Sequence, residues 1–133
     1  MRKIVLVAIC SLVLAGVAMG AGAAASPQDD VFRGSWTSID NDGSHQTLDI
    51  QGSGQGGHHA MFLFDDFTSG ACEGSPAHVQ GAGVVDGDRL VMTGTLTCMP
   101  GGNPLRFRVS ITFEYNPDTD TLTDDSGVTW YRA

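Results

Sequence analysis

Four histidines, two cysteines in the body of the chain and many aspartates are the side chains most able to do chemistry. The histidines are His45, His58, His59 and His78. His58 and His59 are adjacent, so on a strand they project to opposite faces and cannot grip one ion together. No H-x-x-x-H and no Cys/His zinc spacing is present, so neither a metal centre nor a cofactor is expected. Ser, His and Asp are all available for nucleophilic catalysis, yet no G-x-S-x-G elbow presents a serine. Glu73 or Glu114 could be paired with almost any Asp as acid and base, and that freedom removes the pairing's specificity. No catalytic residue is assigned, and a non-enzymatic protein is expected.

The carboxylates suggest calcium more than catalysis. Ser38 to Asp49 overlays the EF-hand loop through Asp40, Asp42, a central Gly43 and a terminal Asp49. Hard oxygen donors at alternate positions suit Ca²⁺. However, the first ligand position is Ser38, the last is Asp instead of Glu, and the flanks read as strands. An Asn-Asp-Gly hairpin turn explains the same residues. Asp118, Asp120, Asp124 and Asp125 form a second acidic group with the same two readings, calcium or a solvated turn.

The chain has 133 residues, 7 Lys+Arg against 15 Asp+Glu. Two of the basic residues, Arg2 and Lys3, precede an apolar run from Ile4 to about Met19 and a small-residue stretch ending at Ser26. That order predicts a secretory signal over residues 1–25, cleaved after Ala23 or Ala25; an uncleaved anchor is the competing reading. Removal leaves five arginines, no lysine and all fifteen carboxylates. Such a body has no footprint for nucleic acid or anionic lipid, and a soluble extracellular or periplasmic monomer is expected. Removal also takes Cys10 and leaves Cys72 and Cys98, which in an oxidising compartment most simply pair.

The elements that must position these residues are strands. Leu105 to Tyr115 alternates six apolar positions with Arg106, Arg108, Ser110, Thr112 and Glu114, and Leu90 to Cys98 alternates more weakly. Apolar or Thr-rich runs add Ser35–Asp40, Gln46–Gln51, Ala60–Phe67, His78–Val85, Thr119–Thr123 and Val128–Arg132. Turn residues join all eight, including Asp42-Gly43, Asp86-Gly87 and Asp125-Ser126-Gly127. Short connections predict an antiparallel meander. Eight strands with two open edges would invite aggregation, so an all-β up-and-down barrel over residues 34–133 is expected, after an arm at 26–33, with a β-sandwich as the alternative.

Gly34-Ser35-Trp36 opens the first strand and Trp130-Tyr131-Arg132 closes the last. In these residues the chain resembles the calycins, the superfamily of lipocalins, avidins and related small barrels. The resemblance implies a closed barrel in which Trp36 packs against Arg132; it implies no particular ligand. A cavity in such a barrel would be lined by Phe62, Phe64, Met92, Leu96, Phe107, Val109, Ile111, Phe113 and Trp130, unless these side chains simply fill the interior.

Function is therefore expected to be binding. The first reading is a small apolar ligand at the barrel mouth. The second is a protein-interaction role such as inhibition of a secreted enzyme, through the loop at Gly52–Gly57 or the one at Pro100–Pro104. A calcium-dependent extracellular module is the third.

Overall fold

A computed structural model describes residues 31–52, 55–99 and 106–133. The expected signal at 1–25, most of the arm, the centre of the Gly52–Gly57 loop and the Pro100–Pro104 loop lie outside the described residues. Eight strands follow in order: β1 (Gly34–Ile39), β2 (His45–Gln51), β3 (His58–Thr68), β4 (Ser75–Asp86), β5 (Arg89–Cys98), β6 (Arg106–Asn116), β7 (Thr121–Asp124) and β8 (Thr129–Arg132). Each pairs antiparallel with the next, and β8 returns to β1 to close an up-and-down barrel. The sandwich alternative is thereby excluded.

Local chemistry explains the turns. β4 and β5 are joined by the two residues Gly87-Asp88, and Gly87 takes φ +64°, the sign that tight hairpins require and glycine supplies freely. Asp40 and Asp124 each begin a turn that is closed by backbone bonds back to the strand end, with Gly43 and Gly127 donating to their carbonyls.

Alternation places one face of every strand inside. Trp36, Leu48, Leu90, Met92, Phe113, Leu122 and Trp130 are completely or almost completely buried and form one cluster with Ile50, Met61, Leu63 and Val79. Phe113 meets Trp130 edge to face, with ring centroids 5.8 Å apart. Where β4 meets β5, the inward positions Gly81 and Gly94 are paired. A Cβ on Gly94 would lie 2.6 Å from the Gln80 carbonyl oxygen, and one on Gly81 would overlap the Thr93 carbonyl oxygen. These two strands approach so closely that neither position admits a side chain.

The phase of β3 differs from expectation. The register sets Leu48 opposite Leu63 and Ile50 opposite Met61, so β3 turns His59, Met61, Leu63 and Asp65 inward. Phe62 and Phe64 therefore face outward, and Phe62 is 40% exposed with its ring stacked on His78. The run Met61-Phe62-Leu63-Phe64 is apolar on both faces, and only the fixed phase of β2 decides which face is buried.

Cys72 and Cys98 form a disulfide between the β3–β4 loop and the end of β5, with Cα atoms 5.4 Å apart. Closing a loop of that span stabilises the fold by about 3 to 4 kcal/mol on the chain-entropy account. The barrel wall is thin in one place. β7 pairs only with Phe113–Asn116 of β6, so Arg106–Thr112 is laddered to β5 alone among the described residues.

Candidate functional site

The two ends of the barrel differ. At the end where β1 starts, Phe32 is fully buried and its carbonyl accepts a 2.9 Å bond from the Trp36 indole N–H. Arg132 lies across the Trp36 ring, 4.1 Å from its centroid. Its Nη1 and Nη2 donate to the carbonyls of Arg33 and Val31, and its Nε donates to Asp120 at 2.7 Å. Asp120 also accepts from the Tyr115 hydroxyl. The Arg132 hydrogen bond holds the Asp120 carboxyl below its usual range, and the same contact raises the Arg132 pKa. Burial, followed by the Asp120 bond, pushes the Tyr115 phenol up. This end is sealed, and the Trp36–Arg132 packing implied by the calycin resemblance is present.

At the other end a polar layer lies beneath the rim. Ser38 donates to Gln46 at 2.8 Å, and Gln46 donates to Asp65 and to Asp40. Asp65 also accepts from the Phe67 N–H and the Thr68 hydroxyl. The calcium candidates are separated and already engaged. Asp40 accepts from the Asn41 N–H, Asp42 from the Ser44 and Ser69 N–H groups, and Asp49 from the Ser35 hydroxyl on the outer wall. Hydrogen bonding from Ser69, then from Ser44, lowers the Asp42 pKa to about 2. Asp124 accepts from the Ser126 and Val128 N–H groups and from the Trp130 indole. No three His, Cys, Asp or Glu side chains gather as a metal site among the described residues.

The expected cavity lining divides into four groups. Met92, Phe113 and Trp130 are buried core; Leu96, Val109 and Ile111 are half-buried; Phe107 is 42% exposed. Phe62 and Phe64, as described, lie on the outer wall. Three recesses of about 450 to 480 Å³ open on the outer wall and rims, and none of the three draws its lining from Trp36, Met92, Phe113 or Trp130. Large side chains occupy the barrel interior, as a narrow eight-stranded wall favours. Apolar surface remains at the disulfide end, where Phe67, Met99 and Phe107 are exposed.

The half-exposed stretch of β6 is the most unusual feature of this surface. No residue of Arg106–Thr112 is buried, although its inward phase carries Phe107, Val109 and Ile111. Its outward phase carries Arg106 and Arg108, opposite Thr97 and Thr95 of β5. Two arginines on one strand of an acidic chain whose one lysine is Lys3 are legible in the sequence. The incomplete pairing of that strand is not, because it depends on the length of β7.

In comparison with known proteins, the chain matches no protein-family model, no curated protein and no solved structure.

Proposed function

We propose that this is an exported, non-catalytic protein-interaction module on a calycin-like barrel, which holds a partner at its disulfide-pinned end. The carrying observation is that large side chains occupy the interior while Phe67, Met99 and Phe107 stand exposed at that end. A rigid barrel presenting apolar side chains beside a polar rim has the composition of a protein contact surface. The disulfide suits an oxidising compartment, in keeping with the leader read in the sequence. Inhibition of a secreted hydrolase is one form this role takes.

One observation favours the small apolar ligand as a second reading: Leu96, Val109 and Ile111 are half-buried and offer a shallow apolar strip at the mouth. The two readings separate in one experiment. The oxidised mature protein is titrated with purified secreted proteases and glycosidases, and in parallel with a dansylated fatty acid. A saturable one-to-one protein complex that persists in the presence of the fatty acid is expected. Saturable uptake of the fatty acid with a rise in melting temperature, and no protein complex, would overturn the proposal.

A further inference from the structure

The edge of β6 that no described strand pairs with has a definite polarity and a definite charge. The Tyr115 N–H donates to the Asp88 carbonyl on the β5 side, so alternate residues back to Phe107 also direct their backbone groups toward β5. Arg106, Arg108, Ser110 and Thr112 direct theirs the other way. Thr112 confirms this direction, since its N–H meets the Asp125 carboxylate, 3.4 Å away. Among the described residues, the edge groups of Arg106, Arg108 and Ser110 have no strand beside them. An edge of this kind is a template for another strand.

We propose that this edge takes up an extended acidic segment of a partner protein as an added strand. This deepens the protein-interaction reading and rests on it. The charge decides the occupant. Arg89 pairs with Glu114 and Arg132 with Asp120, whereas Arg106 and Arg108 have no ion-pair partner among the described residues. Their outer-face neighbours on β5 and β4 are Thr93, Thr95, Thr97, His78 and Gln80, with no carboxylate. In a chain with fifteen carboxylates, this is a basic patch beside an open ladder. A strand added there sets every second side chain over Phe107, Val109 and Ile111 and the others beside the two arginines. The fitting sequence therefore alternates apolar with Asp or Glu. Asp125 at Thr112 ends the ladder and limits the segment to a few residues. A second copy of this chain would bring two more arginines to the same edge, where like charges oppose pairing.

The test uses the oxidised mature protein and three fluorescein-labelled peptides of about eight residues: Glu alternating with Val, Lys alternating with Val, and the Glu/Val composition in blocks. The alternating acidic peptide is expected to bind, more weakly as salt rises, and about tenfold or more tighter than either control. Ser110→Pro removes an edge N–H but no β5 bond. It should lower that affinity by about tenfold with little change in melting temperature. R106E/R108E should reverse the preference toward the basic peptide. Amide exchange at Arg108 and Ser110 should slow on binding, a readout that does not depend on any variant folding. Equal or absent binding of the acidic and basic peptides overturns the inference, as does affinity unaffected by Ser110→Pro, or a β6-mediated dimer of the free protein. If the peptides fail while a secreted hydrolase still forms its complex, the edge inference falls and the interaction reading stands. If both fail, both fall.

Discussion

The guanidinium of Arg132 covers the face of Trp36, while its three nitrogens donate to the Asp120 carboxylate and to the carbonyls of Val31 and Arg33, on two separate stretches of chain. A planar fork can stack and donate in several directions at once, whereas an ammonium acts as a point charge. Arg132→Lys should therefore lower stability by about 1 to 2 kcal/mol, and Arg132→Ala by about 2 to 3 kcal/mol, after allowing for partial exposure. Urea unfolding followed by tryptophan fluorescence measures both. Equal stability of the lysine variant and the native protein would show that the fork geometry is irrelevant.

Acid should weaken this network and also the turn at the opposite end of the barrel that holds Asp42. Asp120 and Asp42 both have carboxyls held below their usual range, Asp42 at about 2. A carboxylate with a depressed folded-state pKa contributes stability that is present above its unfolded value and lost as pH falls through the folded one. The melting temperature should therefore fall between about pH 4 and pH 2, and Asp42→Asn should make that fall shallower. A titration of Asp42 by NMR with a midpoint near 4 would remove the basis for this expectation.

The glycine pair between β4 and β5 predicts an asymmetry between neighbours. Gly81→Ala should destabilise by about 2 kcal/mol or more, because the added methyl meets backbone that has no rotamer to change. Ala82→Ser, one residue along on the exposed face, should change stability by less than about 0.5 kcal/mol. Similar effects at the two positions, measured by thermal unfolding, would contradict the close approach of the strands.

His59 provides a case where a polar group is removed to advantage. It is 3% exposed, and neither ring nitrogen has a hydrogen-bond partner among the described residues. His59→Leu removes two buried unsatisfied atoms at similar volume and should raise stability by about 1 kcal/mol. A loss of stability would show that the imidazole is held by a bond.

Much of this architecture is legible in the sequence, and the exceptions have identifiable causes. β6 alternates cleanly and β5 more weakly, and Asp-Gly or Ser-Gly turns punctuate the rest, so eight strands and their order follow from local chemistry. The Cys72–Cys98 bond follows from counting thiols. Phe62 and Phe64 are misplaced because β3 is apolar on both faces, and the choice of buried face is made by pairing with β2. The network of Ser38, Gln46 and Asp65 and the cap at Phe32 arise from residues that no pattern marks, brought together only by closure. The exposed edge of β6 is hidden for the same reason: it results from the shortness of a different strand.

The pairing of each strand with its sequence neighbour also orders the folding reaction. Seven of the eight interfaces can form as successive hairpins, whereas the bond from Arg132 to Val31 joins residues 101 positions apart. Closing a loop of that length carries a larger entropic penalty than any hairpin, so the β1–β8 interface is expected to form last, after the rate-limiting barrier. Substitutions at Arg132 or Trp36 should then leave the refolding rate almost unchanged and accelerate unfolding. The side chains that seal the barrel set how long it stays shut.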